Sequence, residues 1–303
     1  METFVIGSSG LIGSAIVNHI ENAKPFPKKM PWNNLEQCIS NFESWSVAKP
    51  NTGIVWAAGN SGVSATKEIL DAEMILFRAF LNAVKRNVEQ ISYVLLVSSA
   101  GGVYGEASDE IITESTIPNP ISDYGKAKLQ QEIELIELAI SARFRTLIAR
   151  VSNAYGPRQD LNKKQGLISH LVQAALSNQP ITIYVPMETK RDYIFADDVG
   201  VKISQFISNC ERTDSKTEVK IISSGVSSSI SEVVSEIDRL TGMITPIVFA
   251  EQRETGLQPG SLVFESSVLT AVEEYVCTSL AEGIGFIIES QKRELIQIPN
   301  PKI

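Results

Sequence analysis

Tyr124 and Lys128 stand four residues apart in Tyr124-Gly-Lys-Ala-Lys128, at the head of a helical run. That spacing puts a phenol and an ammonium on one helix face. A tyrosine is a poor base at neutral pH, and a neighbouring ammonium favours its phenolate form. Such a pair can exchange a proton with a substrate hydroxyl while hydride passes to or from a nicotinamide. Upstream, Val97-Ser-Ser-Ala-Gly-Gly-Val-Tyr-Gly105 offers two hydroxyls, Ser98 and Ser99, either of which could orient the reacting group. Near the start, Gly7, Ser8, Ser9, Gly10, Leu11, Ile12 and Gly13 form a glycine-rich turn. Glycines there let the backbone turn tightly and approach a pyrophosphate at a helix N-terminus, where free N–H groups favour anions.

These groups need a scaffold, and the hydrophobic pattern supplies one. Thr3 to Ile6 reads as a strand, and a helical pattern follows the glycine turn to about Glu21. Gly53 to Ala57 and Tyr93 to Ser98 read as buried strands, separated by a helix from about Thr66 to Arg86. A helix from about Ser122 to Ile140 carries Leu129, Ile133, Ile136 and Ile140 as its apolar stripe, and Arg145 to Val151 is the next strand. Continuous apolar strands alternating with helices predict a doubly wound parallel sheet covered on both faces. Residues 23–52 break the pattern. Three prolines within Pro25 to Pro31 cannot make a central strand, so this part of the sheet is expected to be trimmed. Beyond Asn153, helices are expected over 166–178 and 197–209, and extended segments over 181–185 and 193–196. Ser229-Ile-Ser-Glu232 is a capping box opening a helix that stops at Gly242, and a last helix runs from about Leu280 to Ser290.

Composition narrows the function further. The 303 residues carry 27 basic and 35 acidic side chains, a net charge of −8. That balance argues against sequence-independent nucleic-acid binding, which needs a basic face. No apolar run is long enough for a membrane span, and the N-terminus lacks the basic start of a signal peptide. Cys38, Cys210 and Cys277 are far apart and form no CxxC pair, so three unpaired thiols in a reducing cytoplasm are expected. His19 and His170 are the only histidines and sit in no motif, so no His/Cys metal site is expected.

Taken together, the chain resembles the extended short-chain dehydrogenase/reductases of the nucleotide-sugar epimerase/dehydratase type. The resemblance runs through most of the chain. It rests on the glycine turn, Trp56-Ala-Ala-Gly59, the Val103-Tyr-Gly105 loop, the Tyr124/Lys128 pair, Arg150-Val-Ser-Asn-Ala-Tyr-Gly-Pro157 and Arg191-Asp-Tyr-Ile-Phe-Ala-Asp-Asp198. It implies a Rossmann-like dinucleotide-binding domain over 1–157, with 191–210 packing back onto it, and a smaller substrate-binding lobe over most of 158–303. It implies that Ala57, Ala58 and Gly59 join the glycine turn, Tyr124 and Lys128 in holding the cofactor. Asn153 and Arg191 would hold the diphosphate of a nucleotide-sugar substrate, with Arg253 in Gln252-Arg-Glu-Thr-Gly256 as a further contact. A homodimer is common in such proteins.

The departures are informative. Ala100 stands where the family usually has Ser or Thr, leaving Ser98 or Ser99 to serve. Gly101 and Gly102 stand where the dehydratase branch carries an acidic pair, which favours oxidation, reduction or epimerisation over dehydration. Glu73 replaces a common Asn. The window after the glycine turn has no carboxylate before Glu36, whereas Lys28 and Lys29 could meet a 2′-phosphate. NAD or NADP is therefore expected, with a lean to NADP. Two alternatives share the fold: a non-catalytic NADP-binding sensor or scaffold, and an NADPH reductase of a non-nucleotide carbonyl compound.

Overall fold

The computed structural model describes residues 1–297 apart from 60–61, 63–64, 108, 143, 164, 211–214, 251–260 and 269–274. Strand β1 (Glu2–Ile6) leads through the glycine turn into α1 (Leu11–His19). β2 (Ala23–Pro25) and α2 (Leu35–Glu43) follow, then β3 (Thr52–Trp56), α3 (Lys67–Arg86), β4 (Ile91–Ser99) and the single turn α4 (Ala100–Val103). α5 (Asp123–Ala142) and β5 (Arg145–Val151) complete the first half. The second half runs β6 (Asn153–Tyr155), α6 (Leu167–Ser177), β7 (Ile181–Ile183), β8 (Lys190–Phe195), α7 (Ala196–Cys210), β9 (Thr217–Ile222), β10 (Ser227–Ser229), α8 (Ile230–Thr241), β11 (Ile247–Phe249) and α9 (Leu280–Gln297).

The expected doubly wound sheet is present. Six parallel strands lie in the order β2-β1-β3-β4-β5-β9. Ile6, Ile54, Trp56, Val94 and Leu96 face α2 and α3, while Val5, Val55, Leu95, Leu147 and Ala149 face α1 and α7. Each inner strand therefore reads as an unbroken apolar run, since both of its faces are covered. The chain passes from β1 outward to β2, then returns to β3 on β1's other side. This reversal opens a crevice at the carboxyl ends of β1 and β3.

The proline-rich stretch is trimmed as its sequence requires. β2 is three residues long, and its Pro25 is tolerated because the strand lies at the sheet edge. Only this one strand lies beyond β1, where the six-stranded doubly wound pattern has two.

Two expectations need correction. The apolar stripe of α5 is not its packed face: Ile133 and Ile140 are 41% and 74% exposed, whereas Lys128, Gln131, Glu132, Leu135 and Ala139 are buried. Polar groups on this side are buried because they find partners there: Glu132 with Ser98 and Arg150, and Lys128 with Gln131. β9, absent from the sequence reading, joins the sheet beside β5. Its Lys220 masks the strand signal, yet the side chain is buried, with Nζ donating to Ser266 Oγ at 3.0 Å and to the Val268 carbonyl.

Beyond the sheet, α6, α8 and α9 pack around a second core that includes Leu171, Val233, Ile237 and Ile284. Ser229 and Glu232 form the expected capping box on α8, which ends at Gly242 in the left-handed conformation.

Candidate active site

Gly7 adopts φ +85°, and a β-carbon there would fall 2.6 Å from the Ala57 carbonyl oxygen. Only glycine allows both the left-handed turn and this contact with the end of β3. α1 then begins at Leu11 with no side-chain cap, so its first N–H groups have no capping side chain. That leaves them available to an anion. A cleft of about 1880 Å³ runs from this turn across the sheet to the second lobe.

Tyr124 and Lys128 reach the cleft from α5. Lys128 is 6% exposed; its Nζ donates to Gln131 Oε1 at 3.2 Å and lies 5.8 Å from the centre of the Tyr124 ring. A β-carbon on Gly59 would lie 3.5 Å from Glu73 Oε1 and 3.8 Å from Lys128 Nζ, so a carboxylate from α3 and the ammonium face the same glycine.

The two serines have different surroundings. Ser98 is buried and donates to Glu132 Oε1 at 2.5 Å. Glu132 also accepts from Arg150, through Nε at 3.1 and 3.2 Å and Nη2 at 2.6 Å, and Arg150 Nη1 donates to the Tyr104 hydroxyl. Burial opposes charge on Arg150, but the Glu132 carboxylate outweighs it and holds the guanidinium above its usual value. Ser99 instead caps α4, its Oγ accepting from Gly102 N at 3.2 Å. A β-carbon on Gly102 would meet Ser99 Oγ at 3.2 Å and Tyr124 Cε1 at 3.1 Å, so Ser99 and Tyr124 border the same small space.

Asn153 on β6 and Arg191 on β8 line the cleft's other end. Asn153 Nδ2 donates to the Asp192 carbonyl at 2.8 Å. Strand alternation turns Asp192 inward, where its carboxylate accepts from Ser152 Oγ, Ser224 N and Oγ, and Gly225 N. Arg191 and Tyr193 face the cleft. Burial lowers the Arg191 pKa from its usual value and pushes the Tyr193 phenol up to about 12, so Tyr193 is a neutral donor at physiological pH.

Of the residues expected at the site, Gly7, Ser9, Gly10, Leu11, Ile12, Ala57, Ala58, Gly59, Ser98, Ser99, Tyr124, Lys128, Asn153 and Arg191 share this cleft. Ser8 and Gly13 belong to the turn but are not among its lining residues. Lys28 and Lys29 are exposed and do not line it either; Trp32, a few residues on, does. Arg253 lies outside the described residues. His170, a lining residue, has Nε2 2.9 Å from the Lys163 carbonyl oxygen and so ties α6 to Lys163. Among the described residues no group of His, Cys, Asp and Glu could hold a metal ion.

The sequence reading missed Trp32, Gln131, Arg158, Lys163 and Tyr193 in the lining. Arg158 had a signal, since it directly follows the Arg150 to Pro157 segment. Gln131 had none, because a neutral amide on a helix carries no chemical signature.

Comparison with known proteins places this geometry. Residues 3–221 match the sequence model of the NAD dependent epimerase/dehydratase family. The chain is 30% identical over 159 residues to dTDP-4-dehydro-6-deoxyglucose reductase from Escherichia coli, covering 52% of this chain and 48% of that protein. The chain spans about half the length of the first curated relatives it matches. Among solved structures it is similar to UDP-glucose 4-epimerase from Thermotoga maritima with UDP-glucose (TM-score 0.79, 20% identity, 97% of this chain and 100% of that one). It is equally similar to MoeE5 in complex with UDP-glucose and NAD (TM-score 0.79, 24% identity, 97% and 100%). At these identities the structural likenesses establish the fold. With the match running from β1 into β9, the chain belongs to the NAD-dependent epimerase/dehydratase family.

Proposed function

We propose that this chain is an NAD(P)-dependent epimerase or oxidoreductase of a nucleotide-diphosphate sugar. The observation that carries the reading is one continuous cleft with the glycine turn, the Tyr124/Lys128 pair and the Asn153/Arg191 pair along its length. On this reading residues 1–157 with 191–210 hold the dinucleotide, and most of 158–303 forms the substrate lobe.

The uncapped α1 terminus and the close turn at Gly7 fit a pyrophosphate. Ala57, Ala58 and Gly59 would border it, and Lys128 would hold the nicotinamide ribose. When bound, the nicotinamide supplies a hydride acceptor or donor. Tyr124 takes or returns the proton of the sugar hydroxyl. Lys128, held by Gln131, keeps a positive charge near the phenol. Ser99 orients the hydroxyl, because Ser98 is committed to Glu132. Arg191 and Asn153, with Arg253 as a further contact, hold the diphosphate at the far end. Gly101 and Gly102 carry no proton-transfer group, which favours epimerisation or simple redox over dehydration.

For the cofactor we propose NADP ahead of NAD. No carboxylate lies between β2 and Glu36 to repel a 2′-phosphate, and Lys28 and Lys29 sit on the loop that leads to Trp32. A homodimer is part of the reading, supported by the exposed Ile75, Ile133 and Ile140 on α3 and α5. A cytoplasmic setting is supported by Cys38, Cys210 and Cys277, none of which forms a disulfide.

The test is turnover of UDP- and dTDP-hexoses with each cofactor, followed by NMR of the sugar. A 4-epimer or a keto sugar supports the reading. Arg191→Ala should raise KM for the sugar nucleotide while leaving cofactor affinity unchanged. No turnover of any nucleotide sugar would sink it.

A further inference from the structure

The adenosine half of a dinucleotide has an unusual setting in this chain. The phosphates belong at the turn after β1, and the nicotinamide must reach Tyr124 and Lys128, beyond β4. The adenosine therefore extends to the opposite side of β1, over β2. An acidic residue following the glycine turn ordinarily holds the ribose there. Here β2 ends at Pro25. The next residue, Phe26, is buried between Phe42 and Trp45, with ring centres 5.6 and 5.1 Å away, and Pro27 follows. The edge also lacks a second outer strand.

What stands in this region is aromatic. Trp32 lines the cleft while packing partly against the α2/α3 core. Its loop is pinned: Asn41 Nδ2 donates to the Lys29 carbonyl at 2.6 Å, Cys38 Sγ to the Pro31 carbonyl at 3.3 Å, and Asn34 N to the same oxygen at 2.7 Å. Trp56, at the end of β3, also lines the cleft and is 3% exposed. Its ring is wedged between Phe77 and Phe80, with Nε1 sealed inside that cluster, so Trp56 closes the floor of the region. A purine offers a face to stack, and Trp32 presents an indole to the cleft.

We propose that Trp32 is the stacking wall of an adenine subsite, replacing the missing strand and carboxylate. This rests on the NAD(P)-binding part of the reading above, and not on the sugar substrate. Recognition of the base is common to NAD and NADP, so both depend on the same indole, apart from what Lys28 and Lys29 add for a 2′-phosphate.

Calorimetric titration of ADP-ribose, NADH and NADPH tests this, with UDP as a probe of the cleft's other end. Trp32→Ala should weaken all three adenosine ligands about tenfold or more and leave UDP binding unchanged. Trp32→Phe keeps a stacking ring and should restore most of the affinity, which separates stacking from loop folding. Unchanged ADP-ribose affinity in Trp32→Ala, or equal losses for ADP-ribose and UDP, overturns the inference. If the unmutated protein binds no adenosine ligand, the dinucleotide reading falls with it. If it binds ADP-ribose but not UDP, the sugar-nucleotide reading fails and the adenine subsite stands.

Discussion

Lys128 donates to Gln131 one turn further along α5, across 3.2 Å, and both side chains are buried. A buried ammonium needs an acceptor. The amide supplies one without cancelling the charge, as a carboxylate at that position would. The adjacent carboxylate, Glu132, is directed to Ser98 and Arg150 instead. Gln131→Leu should therefore release Lys128 and lower kcat about tenfold, the usual worth of a hydrogen bond to a charged group. KM for the sugar nucleotide should change little. Gln131→Glu should keep the contact but lower kcat further, by neutralising the charge near Tyr124. Steady-state kinetics of both variants decides this; wild-type rates in both would mean Lys128 needs no support.

Tyr124→Phe keeps the ring and deletes the hydroxyl. The variant should fold and bind cofactor as the parent does, while kcat falls by about 10²–10⁴. Nearly full activity would move the proton-transfer group elsewhere.

Gly102 and Gly101 should respond differently to alanine. At Gly102 the new β-carbon would press on Tyr124 Cε1 at 3.1 Å and Ser99 Oγ at 3.2 Å. Gly102→Ala should therefore lower kcat markedly with a small loss of stability. At Gly101 the nearest atom is Leu262 Cδ1 at 4.0 Å, an ordinary contact, so Gly101→Ala should be close to neutral. Parallel kinetics and melting curves test the contrast.

The same local crowding shows what the sequence could reveal. The strand, glycine turn and helix of residues 2–19 were legible because strand burial and turn chemistry are local. The trimmed edge was legible too, since proline excludes a central strand. The buried side of α5 was not. Lys128, Gln131 and Glu132 look like surface residues until Ser98, Tyr104 and Arg150 are brought against the helix. β9 was hidden in the same way, because Lys220 becomes buried only once Ser266 and the Val268 carbonyl are in reach. Trp32 lay in a segment with no periodicity, and its place depends on hydrogen bonds from α2.

The Glu132–Arg150 pair is a stability device that the proposed chemistry leaves unused. Both side chains are nearly inaccessible, and Ser98 adds a further donor. Glu132→Ala would leave a buried guanidinium without its carboxylate and should cost about 3–5 kcal/mol. Ser98→Ala removes one donor and should cost about 1–3 kcal/mol. In denaturant unfolding the Ser98 variant should remain folded and active. A large loss of kcat in folded Ser98→Ala would mean that Ser98, rather than Ser99, serves the substrate.

Glu114 gives the fold a predictable acid sensitivity. Burial alone would raise its pKa, but hydrogen bonds outweigh burial and hold the carboxyl below its usual value. Its oxygens accept from Ile221 N at 2.8 Å, Ser266 Oγ at 2.6 Å, and Ser267 N and Oγ at 2.8 and 3.0 Å. Lys220 Nζ donates to the same Ser266 hydroxyl at 3.0 Å. A carboxyl with a depressed folded pKa contributes stability that is present above the unfolded value, about 4.3 for a free Glu. That contribution is lost as pH falls through the folded value. Glu114 ties β9 to residues 266–267, and the neighbouring Ile112 bridges Phe264, which packs with Leu262 against Ala100 and Tyr104. Protonation should therefore loosen the support behind α4 as well as the sheet edge. Glu114→Gln should be less stable than the parent at pH 7, and the gap should narrow below about pH 4 as the parent loses its charge. Urea unfolding of both proteins from pH 7 to pH 3 measures the difference directly; a gap that stays constant across that range would show that the charge on Glu114 contributes nothing.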